Sequence, residues 1–229
     1  MQGFPNPFPD QPQAFPSQPA NPAAGHGVHA WTGHYEQFGQ KNNVSIDDFR
    51  INNDGTIVGG GKDGVGNFKI TGKLTGNDVH FDKAYQGAHT VKYTGNFKDG
   101  GITGKWDVPG ANGGFEIRSN KKQWKGHYVF GGSKTDMTFY LDLQENKGHD
   151  GAVSGLGSDP NGNYSIEGTI PKSGNGHIVN FNKTYFGQAA NPVHYTGIVF
   201  SQNNQQVIKG NWFLPNGNMH GEFELTKQA

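Results

Sequence analysis

The chain has 229 residues, which is enough for two small domains of about 100 residues each. Its 19 basic and 19 acidic residues balance, which excludes the long-range attraction to phosphate that most nucleic-acid and anionic-membrane binders use. Only 32% of the residues are hydrophobic and none is cysteine, so disulfides and cysteine chemistry are excluded and each core must be built from a few large aromatic side chains.

Residues 1–25 contain most of the prolines of the chain and almost no charge. Phe4, Phe8 and Phe15 are interleaved with these prolines, in a segment that cannot form a core of its own. Two interpretations are open for it, a disordered tail and an extended arm. In the second interpretation, which we adopt as a prediction, residues 1–25 form a Pro-rich arm whose three Phe side chains bind a partner protein.

The segment 79–95, VHFDKAYQGAHTVKYTG, recurs as residues 179–197, VNFNKTYFGQAANPVHYTG. Matching pairs continue on both sides of this segment, and the offset within the pairs grows only in connections rich in Gly, Asn and Pro. Turns tolerate such insertions, whereas paired strands do not. The chain is therefore predicted to be a tandem duplication, with one repeat at residues 26–119 and the other at 120–229.

From Trp31 onward, apolar and polar residues alternate with period two and turn residues separate the runs, so each repeat is predicted to contain about eight strands. One of these is predicted to run from Val44 to Ile51. Eight strands in so short a repeat close naturally into a barrel, and closure removes the exposed strand edges. We predict an all-β chain with two tandem eight-stranded antiparallel meander β-barrels, and keep one sixteen-stranded sheet or two open sandwiches as the weaker alternatives.

Three strand patterns carry a resemblance to a known family, namely Trp31-Thr-Gly33-His-Tyr35, Tyr93-Thr-Gly95 through Ile102-Thr-Gly104-Lys-Trp106, and Tyr195-Thr-Gly197 through Ile208-Lys-Gly210-Asn-Trp212. They resemble the opening and late strands of the avidin-type members of the calycin barrels. This resemblance implies a meander barrel with one end plugged by a tryptophan. The residues placed for that role are Trp31, Trp106, Trp124 and Trp212. Biotin binding is not implied, because the polar residues that hold biotin in avidins have no matches in this chain.

Lys83 and Lys183 lie between aromatic residues, on the side of their strands that points inward by parity. A lysine removed from water can act as a Schiff-base nucleophile. Reaching the mouth of the barrel, or covering an aromatic face, is a simpler role for such a lysine. We therefore take Lys83 and Lys183, together with Tyr85 and Tyr185, as candidates for a ligand-binding mouth.

Two Gly-rich turns contain Asp63 and Asp159. Neither turn precedes a helix, which argues against a phosphate loop, and one carboxylate per turn is too few for calcium. Both aspartates are expected to hydrogen-bond the turn backbone. His34 and His127 lack the ligand spacing of a metal site. We predict no catalytic residue, no metal and no cofactor.

These observations favour a non-catalytic structural or adaptor protein rather than an enzyme. It would dock into a larger intracellular assembly, of cytoskeletal or ciliary type, through the N-terminal arm and the barrel surfaces. Its expected partners are other proteins, with no nucleic acid and no membrane. The alternative is a calycin-like small-molecule binding protein that uses a barrel cavity, although the many inward aromatic residues favour a filled interior. No signal-peptide pattern is visible, which favours an intracellular location.

Overall fold

A computed structural model describes residues 30–63, 65–145, 149–172, 177–188, 192–215 and 219–229. These residues form seventeen antiparallel strands and contain no helix, so the prediction of an all-β chain is confirmed. The strands divide into two sheets, one in the first half of the chain and one in the second. The predicted arm, residues 1–25, lies outside the described residues.

The first half is a curled nine-stranded sheet in the order β2-β1-β9-β8-β7-β6-β5-β4-β3. Its strands are β1 (Trp31–Gln37), β2 (Gln40–Ile46), β3 (Asp48–Ile51), β4 (Thr56–Lys62), β5 (Asn67–Thr75), β6 (Asp78–Tyr85), β7 (Thr90–Lys98), β8 (Gly101–Val108) and β9 (Ala111–Ser119). Apart from the β2–β3 step, strands consecutive in the chain are neighbours in the sheet, as in a meander.

The second half is a closed eight-stranded barrel in which β10 pairs with both β11 and β17. Its strands are β10 (Lys122–Phe130), β11 (Ser133–Gln144), β12 (Gly151–Asp159), β13 (Gly162–Ile170), β14 (His177–Tyr185), β15 (Val193–Gln202), β16 (Gln205–Phe213) and β17 (His220–Lys227). One predicted meander barrel is thus present as a closed barrel.

The prediction of a second closed barrel is wrong for the first half. The strand predicted from Val44 to Ile51 is instead two strands, β2 and β3, with Asp47 between them. They form the two edges of the sheet: β2 pairs with β1, and β3 pairs with β4. The chain therefore crosses from one edge to the other at Asp47, but no continuous ladder of hydrogen bonds closes the curled sheet.

The register of the strands explains why the first half does not close into a barrel. Ile46 lies opposite Trp31, just as Phe139 lies opposite Trp124 in the second half. Two residues then separate Ile46 from the next inward residue, Phe49, whereas Tyr140 alone separates Phe139 from Leu141. One extra residue in a strand bends it and interrupts its ladder, as in a β-bulge. Alternating hydrophobicity does not reveal such an insertion, so the sequence predicted one long strand.

Each half has its own aromatic core, with a tryptophan near each end. Trp31 and Trp124 are buried where β1 and β10 begin. Trp106 and Trp212 are buried near the opposite end, where their indole nitrogens donate hydrogen bonds to the backbone oxygens of Glu36 and Val129 at 3.0 and 3.1 Å. We call the end of the first half that holds Trp31 the Trp31 end, and the end of the second half that holds Trp124 the Trp124 end. The opposite end of each half is called its mouth.

Apolar contacts join the two halves at the Trp31 end. Leu156, on the outer face of β12, belongs to the core of the first half. Phe186, which follows β14, packs edge-on against Phe97 with the ring centroids 6.2 Å apart. Beside them the Tyr140 ring covers Gly100, where φ is +69° and a Cβ would lie 2.7 Å from the ring. The side of the second barrel thus covers the end of the first half.

Hydrogen bonds between polar side chains and backbone groups complete this junction. The Ser165 hydroxyl donates to the side-chain oxygen of Asn53, and the Gly187 amide donates to the Asn53 backbone oxygen at 3.0 Å. The Asn163 side chain donates to that of Asn77 at 2.7 Å. Ser165 is buried, and a buried polar group is costly without a partner, so its bond to Asn53 favours this relative orientation of the halves.

Candidate functional site

A lysine, an aspartate and a tyrosine meet at the mouth of the first half. Lys83 points inward from β6, and its ammonium donates a 2.5 Å hydrogen bond to Asp63 in the turn between β4 and β5. The Tyr85 hydroxyl donates to the same carboxylate oxygen at 2.6 Å. The other oxygen of Asp63 accepts the backbone amides of Val65 and Gly66 at 2.9 and 3.3 Å. The carboxylate therefore holds both its turn and the inward lysine.

The second half repeats this arrangement in a more buried form. Lys183 and Tyr185 donate to the same oxygen of Asp159, the tyrosine at 2.7 Å. The other oxygen of Asp159 accepts the backbone amide of Asn161 at 2.8 Å. The side chain of Asp159 is fully buried, whereas that of Asp63 is 26% exposed. Any destabilisation from an unpaired charge should therefore be larger in the second half.

Aromatic rings surround both ammonium groups. Lys83 Nζ lies 4.0 Å from the centre of the Phe68 ring and 4.9 Å from that of Tyr85. Lys183 Nζ lies 4.3 Å from the centre of Tyr164 and 4.7 Å from that of Tyr185. Such contacts stabilise a cation that has lost part of its water. A carboxylate and ring faces favour the charged form of each lysine, whereas a nucleophilic lysine must be neutral.

Burial and pairing shift the pKa values of the first cluster in different directions. Burial raises the pKa of Asp63, but hydrogen bonds from Lys83 and Tyr85 outweigh it, so the pKa lies below the ordinary value of 3.8. Burial lowers the pKa of Lys83, which the hydrogen bond to Asp63 partly offsets. Burial, with the bond to Asp63, raises the pKa of Tyr85 well above its ordinary value.

The lowered pKa of Asp63 predicts an acid dependence of stability. Because the folded state holds this proton less tightly than the unfolded state, the contribution of Asp63 is complete above its ordinary pKa and is lost as the pH falls through the folded value. The unfolding free energy of Asp63→Asn should thus change less than that of the wild type below about pH 4. Urea unfolding from about pH 6 to about pH 2 measures the difference, and parallel curves would contradict it.

The mouth of the first half opens into a cavity of about 140 Å³. Its lining is mainly aromatic and aliphatic, with polar groups at the side: Tyr35, Gln37, Asn43, Val44, Asp63, Val65, Lys83, Tyr85, Val91, Tyr93 and Trp106. A further apolar space of about 20 Å³ lies deeper, beneath Lys83. Lys83, Tyr93, Tyr35 and Val44 line both spaces, so a bound molecule would lie beside the ion pair.

A difference in side-chain size accounts for the space in the first half. The inward residues of β2 are Val44 and Ile46, and the residues that correspond to them by register in β11 are Met137 and Phe139. Phe139 packs against three rings of the second core, with centroids 5.4 Å from Tyr164, 5.9 Å from Phe181 and 6.1 Å from Tyr195. In the first half, the smaller Ile46 lines the deeper space of about 20 Å³, and Val44 lines both spaces.

The outer faces of the halves differ as well. Ile178 on β14 lies opposite Ile198 on β15, and Phe200 follows on the same face; all three side chains are exposed. We call these three residues the apolar wall. The positions that match them in the first half hold Asp78, Asn96 and Lys98, with Asp78 opposite Asn96 in the same register. Contiguous exposed apolar side chains often mark a surface that binds another protein.

The structure thus brings four of the predicted residues, Lys83, Tyr85, Lys183 and Tyr185, to the two mouths, and it buries the four tryptophans in the cores. Phe4, Phe8 and Phe15 lie outside the described residues, so their binding role remains a prediction. The ion pairs of Asp63 and Asp159 were not predicted from the sequence. A signal was present in the sequence, since both halves have an inward lysine and a turn aspartate. No cluster of three metal-ligating side chains occurs among the described residues.

No protein-family model matches the chain, and no curated protein matches it. The solved structures that align with it include the crystal structure of a candidate outer membrane protein from Bacteroides fragilis. Identity is 10%, the alignment covers 87% of this chain and 96% of that one, and the TM-score is 0.27, a value too low to support an argument. Among the described residues, no helix has the length and apolar character needed to cross a membrane.

Proposed function

We propose that the chain is a non-catalytic structural or adaptor protein that docks into a larger intracellular assembly. The apolar wall carries this proposal, because it exposes Ile178, Ile198 and Phe200 where the first half exposes polar residues. The junction supports it too, since its apolar contacts and hydrogen bonds hold the outer surfaces of the two halves in one arrangement. Other proteins are the proposed partners, and a cytoskeletal or ciliary assembly is the proposed setting.

Affinity capture tests the wall. The intact chain, a variant with Ile198→Ser and Phe200→Ser, and a control with Asn96→Ser and Lys98→Ser would each be immobilised and exposed to extract from the source cells. Removing two central apolar side chains from an interface should weaken capture at least about tenfold. The control changes the matching positions of the first half and should capture like the wild type. Equal capture by all three proteins would contradict the proposal.

We further propose that the two halves arose by tandem duplication of one calycin-like barrel. The matched clusters support this, because each half pairs an inward lysine with a turn aspartate and a tyrosine. The stacked rings of Phe81 and Tyr93, 4.5 Å apart, correspond to those of Phe181 and Tyr195, 5.0 Å apart. In this proposal the extra residue between β2 and β3 was inserted after the duplication.

A second candidate function is small-molecule binding at the mouth of the first half. The observation that favours it is the difference in filling, since Ile46 lines an empty apolar space in the first half at the position where Phe139 packs against three rings in the second. The volume and the aromatic lining suit a single-ring compound, with its polar group beside the ion pair of Lys83 and Asp63.

Thermal unfolding tests this candidate with p-cresol and benzoate as probes. A saturating probe should raise the melting temperature through linkage, by an increment that grows with probe concentration. The double variant Val44→Met and Ile46→Phe introduces the side chains of the second half and should abolish the shift. The same increment in the filled variant would mean that the probe binds elsewhere and would remove the cavity from consideration.

A further inference from the structure

The Trp124 end of the second barrel holds an open pocket of about 220 Å³. Its floor is apolar and consists of Trp124, Leu141, Leu143, Ile170, Val179 and Val199. Its rim is polar and consists of Lys122, Asp142, Glu145, Gln206 and Lys227. An apolar floor within a polar rim is the usual anatomy of a pocket that takes an anchoring side chain of a protein segment.

The corresponding end of the first half shows which side chains such a floor takes. There the floor is covered by Leu156 and Phe186, which the second half supplies. Phe186 packs edge-on against Phe97, and the residue that corresponds to Phe97 in the second half is the smaller Val199. The Trp124 end therefore lacks one ring of its own and has space for an aromatic side chain from elsewhere.

Ala30, the first described residue of the chain, lies close to this pocket. The backbone amide of Asn120 donates to the oxygen of Ala30 at 3.1 Å, and Lys122, two residues further on, belongs to the rim. Residues 1–29 precede Ala30, and Phe15 is the nearest of their three phenylalanines. The intervening residues 16–29 can span up to about 50 Å when extended, which is more than the width of a small barrel.

We propose that Phe15 of the N-terminal arm binds in the pocket at the Trp124 end of its own chain, as Phe186 binds at the Trp31 end. A tethered segment reaches its site at an effective concentration in the millimolar range, which favours the arm of the same chain over that of a second copy. The inference rests on the docking role predicted for the arm. It places the pocket that binds the arm on the same chain. The apolar wall then remains the surface for other proteins.

Disulfide trapping tests the proposal, since the chain has no cysteine of its own. The pair Ser17→Cys and Gln206→Cys leaves Phe15 intact and puts one thiol beside it and the other on the rim. Mild oxidation of the purified full chain should give a disulfide within the monomer, identified by non-reducing electrophoresis and mass spectrometry. The matched control Ser17→Cys and Lys105→Cys has its second thiol on the exposed outer face of β8 and should cross-link at least about tenfold more slowly.

Two further changes show whether the phenylalanine and the pocket are responsible. Phe15→Ala in the trapping pair should slow the cross-link at least about tenfold, as should Val199→Phe, which fills the pocket with the ring that the first half has in Phe97. Ile198→Ala, on the outer face beside it, should leave the rate unchanged. If Val199→Phe lowers the melting temperature of the protein, the cross-linking rate of Phe15→Ala alone tests the proposal.

A cross-link that forms between two chains would overturn the proposal in favour of a second copy as the source of the arm. A rate unaffected by Phe15→Ala would also overturn it, because the arm would then pass the rim without binding. These outcomes involve the purified chain alone. They are therefore separate from the capture of partner proteins, which can fail while the trapping succeeds.

Discussion

Asp159→Asn should lower the unfolding free energy by about 3 to 5 kcal/mol, because it leaves the buried ammonium of Lys183 without its counter-ion. Asparagine retains an oxygen for the backbone amide of Asn161, so the turn is preserved. Its NH2 group then faces Lys183 and Tyr185, so the variant removes both the charge and the oxygen that accepts their hydrogen bonds. The same change at Asp63 should cost less, since that carboxylate is partly in contact with water. Urea unfolding at neutral pH measures both variants.

A compensating variant separates the charge from the packing. Lys183→Met added to Asp159→Asn removes the unpaired ammonium but keeps an unbranched side chain among the rings of Tyr164 and Tyr185. The double variant should recover much of the lost stability, because replacing both members of a buried ion pair is far less costly than removing one. A double variant as unstable as Asp159→Asn alone would show that the ion pair is not the cause.

Leu156→Ala should destabilise the first half by about 2 to 5 kcal/mol, although Leu156 belongs to a strand of the second barrel. The lost contacts are those with the core at the Trp31 end, so the effect should appear across the junction. Hydrogen exchange would show faster exchange of amides in β3 and β4 while β15 to β17 keep their protection.

The matched control is Ile198→Ala, which shortens an exposed apolar side chain on the same barrel. It should change stability by no more than about 0.5 kcal/mol. A loss of protection confined to the second barrel in Leu156→Ala would contradict the junction, since it would mean that this leucine stabilises only its own half.

The strands and their inward faces could be predicted because one wet face and one buried face impose a period of two on the sequence. Parity places Lys83 and Lys183 inward, and their ammonium groups are buried in both cores. The ion pairs were harder to predict, since Asp63 lies in a turn whose position relative to Lys83 depends on the curvature of the sheet. The signal for them was the presence of both residue types at matching positions of the two halves.

The break between β2 and β3 could not be predicted, because one extra polar residue at Asp47 leaves the alternation on each side intact. The covering of the Trp31 end could not be predicted either. The sequence places Leu156 on the outer face of β12, and only the structure shows that this face packs against the core of the first half. The two halves therefore differ at single positions, such as Ile46 and Phe139. Their similarity involves the alternation of apolar and polar residues along all the strands.

Photo-cross-linking within the source cells tests the docking function most directly. A photoreactive residue placed at Ile198 lies at the centre of the apolar wall, and the same residue at Asn96 lies at the matching position of the first half. The proposal predicts discrete cross-linked protein partners from position 198 at a yield at least about tenfold above that from position 96. Equal yields from the two positions, or none from position 198, would contradict it.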